Sequence, residues 1–451
     1  VVIDRVSNGP LADPANTRTI SPKNDALVED DFNDATYSGV RFSAHHNFNN
    51  DWSLLVQHTA QTLNTDGVFS YDPNLEGESS TNRFIPEDNQ DEFGLTTWTL
   101  EGRLAKLDVV YTGGYLDRSI DSTIDYTGYT NAGLFSAFYT CDYSSADPAE
   151  QYCADPTKWY KEKTETSRNT HELRFNTSTD NSWRVTAGIF YDDQTLASVG
   201  KFKLANTELF PDLKSSLKGQ DGINTDGGPY SSEVSFVNDV DHQIKQVAVF
   251  GQAEYDLSDT VTATLGARWY QIEDIYKGAT TTVDISRRVQ AFGSLDPDEL
   301  TAVGEEPSEI QEAVDSGRLE TSLLDEDGVL TVDDVIYKAS VDWKVNDDVL
   351  LFTTYSEGFR PPVTNRVGGG KATSNEGAFE NFRIPVYSTT DTLKNYEVGM
   401  KGDFLEGILR VNATGYYSQI TYLQTSRFDP TNISFLQFTD NVGDASIRGI
   451  E

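Results

Sequence analysis

Aromatic side chains that could stack on a ligand are concentrated in one polar stretch, "YTCDYSSADPAEQYCADPTKWYKEK", residues 139–163. Within it, Tyr139, Trp159 and Tyr160 present flat rings with one polar edge, a combination suited to sugars and to aromatic ligands. Packing around a local disulfide explains the same residues equally well. The stretch is therefore a candidate ligand-binding loop, with local packing as the alternative.

A second polar stretch, "GFRPPVTNRVGGG", directly follows a β-branched and aromatic run. Its Arg360, Asn365 and Arg366 can donate hydrogen bonds to a ligand or to lipopolysaccharide phosphate groups. The alternative, a solvated loop with a glycine hinge, is favoured by the composition. Proline ends strand pairing, so this stretch predicts the point at which a strand leaves its sheet.

The two cysteines, Cys141 and Cys153, lie close together in the first polar stretch. Such a pair predicts a disulfide that closes a loop in an oxidising compartment, and two free thiols in a cytosolic loop are the alternative. The acidic stretch "DEDGVLTVDD", residues 325–334, resembles a calcium loop, but its spacing departs from the EF-hand pattern. His45 and His46 are adjacent in a predicted strand, so they point to opposite faces and cannot chelate one metal ion.

No motif indicates catalysis. The Gly-x-Ser-x-Gly, phosphate-loop and His-Glu-x-x-His patterns do not occur. The chain has 72 Asp and Glu against 35 Lys and Arg, a net charge of -37, so pairs of carboxylates carry no information. The same acidic balance argues against a nucleic-acid partner, since phosphate binding requires a basic surface. We expect a protein that is not an enzyme and has no cofactor, apart from the calcium hypothesis.

Six segments repeat one plan: a strand of about ten residues, a short polar turn and a second strand, which is the β-hairpin signal. The segments are residues 36–61, 93–116, 170–193, 245–271, 335–359 and 395–420, and "NVGDASIRGIE" begins a further strand. Connections between hairpins are much longer than the turns within them. One end of the sheet is thus predicted to carry tight turns and the other long loops. A β-propeller would require repeats of near-constant length, which these are not.

Side chains alternate along each hairpin, so that one face is apolar and the other carries charge. In residues 245–271 the apolar face includes Val249, Leu265 and Trp269, and the opposite face includes Glu254 and Arg268. In a soluble sandwich the apolar face is the core, whereas in an outer-membrane barrel it contacts lipid. Strands of about ten residues have the length that crosses a bilayer at a tilt.

Aromatic residues favour the membrane interpretation because they occupy both ends of the apolar face. Beside the tight turns lie Phe48, Trp52, Trp183, Tyr255, Trp343 and Phe404, and toward the long loops lie Tyr115, Tyr191, Trp269, Tyr337, Tyr396 and Tyr417. Tyr and Trp prefer the level of the lipid headgroups, so two belts are typical of a membrane barrel. We therefore predict an all-β fold, an antiparallel transmembrane β-barrel with long extracellular loops. No apolar run is long enough for a transmembrane helix.

The predicted organisation has two parts. Residues 1–36 are a strand end and an extracellular loop, and residues 37–451 are a partial barrel. Extracellular loops are expected near 62–92, 118–168, 194–243, 275–334, 360–393 and 424–445.

Several phrases resemble the barrel of TonB-dependent outer-membrane receptors. They are "YSEGFRPPVTNR", "LKNYEVGMKGDF" with "LRVNATGYYSQI", and "NVGDASIRGIE", supported by "VYTGGYLDR" and "NTHELRF". The resemblance spans Tyr37 to Glu451. About 13 strands are visible against about 22 in the family. The family's plug domain and TonB-binding segment have no recognisable counterpart here, so we expect a partial barrel.

The resemblance implies TonB-dependent active uptake of a scarce nutrient across the bacterial outer membrane. A ferric siderophore is the first expectation, followed by an oligosaccharide or another nutrient. The implied partners are the inner-membrane TonB complex, reached through N-terminal parts, and outer-membrane lipid and lipopolysaccharide. A passive outer-membrane porin and a secreted all-β carbohydrate-binding protein remain as alternatives.

Overall fold

The computed structural model describes residues 24–451 except 68, 74, 76–78, 131–140, 143–151, 154, 180, 206, 208–216, 223, 283–328, 366–384 and 430–435. Thirteen strands form one antiparallel sheet. They are β1 (Ala35–Asn47), β2 (Trp52–Asp66), β3 (Asp88–Leu104), β4 (Leu107–Asp125), β7 (Lys158–Thr177), β8 (Trp183–Leu204), β9 (Val234–Ser258), β10 (Val261–Thr282), β11 (Leu330–Asn346), β12 (Val349–Arg360), β15 (Asp391–Phe404), β16 (Leu409–Thr421) and β19 (Ala445–Ile450).

Three small ribbons lie in the connections between these strands. They are β5 (Cys141–Asp142) with β6 (Tyr152–Cys153), β13 (Val363–Thr364) with β14 (Tyr387–Ser388), and β17 (Gln424–Asp429) with β18 (Leu436–Asn441). A 3-10 turn (Asp25–Leu27) and one short helix, α1 (Thr127–Thr130), complete the described elements. No helix among the described residues is long and apolar enough to span a membrane.

Neighbours in sequence are neighbours in the large sheet, which runs from β1 at one edge to β19 at the other. The six predicted hairpins are confirmed, and the predicted tail strand is β19. Their tight turns all lie at one end of the sheet. In an outer-membrane barrel of the usual orientation, that end would be periplasmic and the long connections would be extracellular.

The predicted apolar face is confirmed as an exposed surface. Its side chains include Leu265, which is 67% exposed, Val398, which is 64% exposed, and Val249, which is 54% exposed. All six aromatics of the outer belt lie on this face and are exposed: Tyr115, Tyr191, Trp269, Tyr337, Tyr396 and Tyr417. A soluble sandwich would bury this face. The polar face of the same strands is the opposite side of the sheet, and we call it the inward face because it lines the interior in a membrane barrel.

Several strands continue beyond the limits that the alternation predicted. β8 runs to Leu204 and β9 begins at Val234, although both ends fall in the region expected to be a loop. β4 and β7 likewise stay paired up to Asp125 and Trp159. Outside the membrane both faces of a strand tolerate polar residues, so the apolar–polar alternation fades while the backbone ladder continues.

Candidate functional site

Four aromatic rings form a continuous inward-facing surface at the outer end of the sheet, which we call the aromatic wall: Tyr126, Tyr160, Phe202 and Phe236. Phe202 has the opposite parity along β8 to the exposed Tyr191, which places it on the inward face. Tyr160 pairs with Phe202, and Phe202 pairs with Phe236, directly across the ladder. Ring centroids lie 4.5 Å apart for Tyr160–Phe202, 5.3 Å for Phe202–Phe236 and 4.7 Å for Tyr126–Phe202.

The rings of the aromatic wall are half-buried. Tyr160 lies across Gly200, where the absence of a side chain lets the ring lie against the sheet. Its hydroxyl donates to Glu162 Oε1 at 3.1 Å, and Ser198 donates to the same oxygen at 2.8 Å. The wall therefore combines flat apolar surface with a carboxylate at its lower margin.

Lys158 has the same parity along β7 as Tyr160, and its Nζ lies 4.6 Å from the centre of the Phe202 ring. It is 2% exposed, and this burial lowers the pKa of its amino group to about 7. The backbone N–H of Lys158 donates to Thr127 Oγ1 at 3.2 Å, which ties β7 to the start of α1. The wall thus has a titratable amino group in contact with its central ring.

Carboxylates tie the loop before β3 to the end of β4, beside the wall. Glu87 Oε1 accepts from the backbone N–H of Asp125 at 2.8 Å, and Arg83 Nε donates to Glu87 Oε2 at 2.8 Å. Burial raises the pKa of Glu87, and the Asp125 and Arg83 hydrogen bonds only partly oppose this. The Asp125 carboxylate accepts in turn from the backbone N–H groups of Phe84 and Ile85. Tyr126 is therefore held at a fixed position relative to β3 and β4.

The structure separates the residues that the sequence grouped as ligand contacts. Tyr160 belongs to the aromatic wall, but its neighbour Trp159 has the opposite parity and pairs with Lys203 on the outward face. Tyr139 and Arg366 lie outside the described residues. A ligand role for Trp159 and Tyr160 stays a prediction, and only Tyr160 faces inward.

Arg360 forms an ion pair at the outer end of β12. Its guanidinium donates to Asp391 Oδ2 through Nε at 2.8 Å and also through Nη2. Burial would raise the pKa of Asp391, but the hydrogen bonds from Arg360 and from the Gln424 backbone N–H outweigh it and lower that pKa. Arg360 Nη2 also donates to the Gln424 carbonyl at 2.9 Å. This arginine therefore holds three segments together, and its binding to a ligand stays a prediction.

Asn365 is 5% exposed and joins two outer loops. Its amide nitrogen donates to the carbonyls of Pro385 at 3.0 Å and Thr439 at 2.8 Å, and its oxygen accepts from the Thr439 N–H at 2.8 Å. Both amide hydrogens are thus used inside the protein. The geometry supports a structural role for Asn365 more strongly than the predicted ligand contact.

The disulfide and the calcium loop remain predictions. The backbones of Cys141 and Cys153 are paired directly across the β5–β6 ribbon. Most of the acidic stretch 325–334 that resembles a calcium loop lies outside the described residues. Within the described part of the chain, no three His, Cys, Asp or Glu side chains are grouped closely enough to hold a metal ion.

Comparison with known proteins gives the sheet and its aromatic wall a context. The family model described as "TonB dependent receptor-like, beta-barrel" matches residues 19–451. The chain belongs to the TonB-dependent receptor family. Among curated protein sequences, none matches the chain.

Three solved structures show the same fold as this TonB-dependent receptor barrel. The ferric yersiniabactin uptake receptor FyuA from Yersinia pestis has a TM-score of 0.60 and 11% identity, over 96% of this chain and 50% of FyuA. The siderophore receptor PiuA from Acinetobacter baumannii has a TM-score of 0.53 and 15% identity, over 93% of this chain and 54% of PiuA. The unliganded ferric citrate transporter FecA has a TM-score of 0.55 and 9% identity, over 93% of this chain and 47% of FecA. The chain spans about half the length of these structures, and at these identities the likeness concerns the fold alone.

Sequence reasoning missed Tyr126, Lys158, Phe202 and Phe236 as members of the site. The alternation of side chains along β8 could have revealed Phe202, because it continues the inward-facing positions through "ASVGKFKL". Polar residues on both faces concealed that continuation.

Proposed function

We propose that this chain forms part of the wall of an outer-membrane receptor that takes up a scarce nutrient by TonB-dependent active transport. One observation carries the proposal: the aromatic wall faces inward at the outer end of a sheet whose opposite face is apolar and exposed. A ligand arriving from outside would meet Tyr160 and Phe202 before it entered the lumen. Family membership and the receptor fold support transport rather than an enzymatic reaction.

The ligand we propose is a ferric siderophore, with an oligosaccharide as the second candidate. The half-buried rings of the wall offer a flat surface of polarizable carbon to an aromatic or ring-shaped ligand. Lys158, in contact with the Phe202 ring, adds positive potential when it is protonated, which favours an anionic iron chelate over a neutral sugar. The iron is cargo in this proposal, and we propose no resident cofactor. A calcium ion bound by the acidic loop at 325–334 remains a separate proposal.

Energy for uptake would come from the TonB complex of the inner membrane, contacted through a part of the receptor other than this barrel segment. Around the barrel, the proposed surroundings are outer-membrane lipid and lipopolysaccharide. The exposed apolar face and its outer aromatic belt support this placement, because such a surface is stable only in contact with lipid.

Uptake of iron-55 by cells that carry the complete receptor would test the proposal. A ferric catecholate and a ferric hydroxamate siderophore serve as probes, in strains with and without TonB. We expect Phe202→Ala to reduce uptake of at least one probe about tenfold, the loss of one to two stacking contacts. Tyr255→Ala, which removes an exposed aromatic from the periplasmic belt, is the matched control. Unchanged uptake of both probes in Phe202→Ala, or uptake that does not need TonB, would reject the proposal.

The two alternatives predict different behaviour. A passive porin would give TonB-independent entry of small solutes into liposomes that contain the complete protein. A secreted carbohydrate-binding protein would stay folded and monomeric without detergent, which the exposed apolar face makes unfavourable.

A further inference from the structure

Residues 217–222 and 224–233, which the structure describes within the connection between β8 and β9, pack on the outward side of the sheet. Leu217 and Tyr230, from this connection, form a buried cluster with Val234 and Val237 of β9, and Leu217 and Val237 are completely buried. Val237 has the same parity along β9 as the exposed Val247 and Val249, with no break in register between them. The residues of this connection that the structure describes therefore cover the outward face, above the outer aromatic belt.

One carboxylate anchors this connection to the outward face. Asp239, also on that face, is completely buried. Its Oδ2 accepts from the backbone N–H groups of Asn224 at 3.0 Å and Asp226 at 2.8 Å, and its Oδ1 accepts from Thr225 Oγ1 at 2.7 Å. Three hydrogen-bond donors of the turn converge on this one buried side chain, so the turn is firmly held against β9.

Two ion pairs fasten the same connection to β8. Lys201 Nζ lies 2.7 Å from Asp226 Oδ2, and Lys203 Nζ lies 2.8 Å from Glu233 Oε1. Lys201 and Lys203 flank Phe202 of the aromatic wall in sequence, and Val237 follows Phe236. The two faces of one short piece of sheet therefore carry the outward-packed connection on one side and the wall on the other.

We infer that residues 217–222 and 224–233 of the β8–β9 connection form an external brace that keeps the aromatic wall rigid for ligand binding, with Asp239 as its main positioning residue. A sheet needs a second layer to bury one of its faces, and beyond the membrane lipid no longer supplies it. The brace supplies that layer without occupying the inward side. Rigid placement of Phe202 and Phe236 lowers the entropy lost when a ligand binds. This inference rests on the proposed function of the wall.

Transport kinetics of the complete receptor separate positioning from simple loss of fold. Uptake is measured with the ferric catecholate and hydroxamate probes. Asp239→Asn replaces one carboxylate oxygen by an NH2 group, which then faces the hydrogen-bond donors of the turn. We expect the half-saturating probe concentration to rise about tenfold while the maximal uptake rate is unchanged. Hydrogen exchange should rise in residues 198–204 and 234–240 and stay unchanged in the membrane-spanning hairpins. Asp241→Asn is the control, since among the described residues Asp241 accepts a single hydrogen bond, from the side chain of Asn224 at 3.1 Å.

Leu217→Ala tests the same brace through its apolar contacts if Asp239→Asn fails to assemble. An unchanged half-saturating concentration in an assembled brace variant, together with reduced uptake in Phe202→Ala, would overturn the brace and leave the proposed function standing. No effect of Phe202→Ala on either probe would remove the proposed function and the brace with it.

Discussion

The ring of Tyr160 occupies the space that a side chain at Gly200 would fill. A β-carbon built on Gly200 would lie 1.8 Å from the Tyr160 hydroxyl oxygen and 2.4 Å from the adjoining ring carbon. The two residues lie on neighbouring strands, β7 and β8, near the directly opposed pairs Tyr160–Phe202 and Glu162–Gly200. This glycine lets Tyr160 lie flat and contact Phe202.

Gly200→Val should therefore displace Tyr160 from the aromatic wall. We expect a loss of aromatic packing of about 0.5–1.5 kcal/mol, seen as a weaker near-ultraviolet circular dichroism signal and weaker binding of the ferric probes. Gly266→Ala is the control, because a β-carbon at this inward-facing glycine would meet nothing closer than 3.5 Å. An unchanged spectrum in Gly200→Val would contradict this role for the glycine.

Charge on the lipid-facing surface should impair assembly. Leu265 is 67% exposed on the apolar face, between Ala263 and Ala267. Leu265→Arg should cost roughly 2–4 kcal/mol near mid-membrane, measured as a shift in denaturant unfolding from lipid vesicles. Ser340→Arg, in the adjacent strand but on the inward face, should be tolerated. Equal stability of the two variants would argue against lipid contact at Leu265.

Burial of Lys158 makes the stability of the outer end depend on pH. Its pKa is lowered from 10.5 in the unfolded chain to about 7 in the folded protein. Between pH about 7 and 10.5, the amino group is protonated in the unfolded chain but neutral in the folded protein. The free energy of unfolding therefore rises with pH across this range and is lowest below pH about 7.

Lys158→Met should remove that dependence, because methionine fills the same space without a charge. The stability difference between variant and wild type should be largest near pH 7 and shrink toward pH 10, on the order of a few kcal/mol in total. Thermal unfolding in detergent at several pH values would measure it. A difference that does not change with pH would show that the amino group is not desolvated.

Asn365→Ala should loosen the two outer loops that this residue joins. The change leaves three backbone groups without their partner, at a cost of about 1–3 kcal/mol for each buried group that water cannot reach. Faster proteolysis within residues 361–390 and 422–444, without any change in barrel assembly, is the expected result. The control variant Val363→Ala, at an exposed position nearby, should be cleaved at the wild-type rate. Equal cleavage rates for the two variants would contradict the proposal that Asn365 holds these loops together.

Cys141 and Cys153 should form a disulfide in the protein isolated from an oxidising compartment. Directly opposed residues in an antiparallel ribbon lie about 4.5–5.5 Å apart at Cα, within the range that a disulfide bridges. Peptide mapping without reductant should find the two cysteines in one linked peptide, which reduction separates. Alkylation of both thiols without prior reduction would contradict the prediction.

The sequence by itself determined the membrane-spanning part of the fold. Each hairpin crosses an apolar environment on one face, so residues such as Val249 and Leu265 reveal the strand, its register and its lipid side through simple alternation. The aromatic belts followed from the same pattern, because the headgroup level selects Tyr and Trp at fixed heights. Local chemistry was sufficient wherever lipid constrained every second residue.

Only the tertiary structure decided what the outer end contains. Above the belt no solvent distinguishes the two faces, so the sequence could not show that Trp159 points outward while Tyr160 joins Phe202. The buried positions of Asp239 and Asn365 depend on hydrogen bonds to loops that pack against them only in the folded chain. These contacts are set by the register and packing of distant segments, and they define both the aromatic wall and its brace.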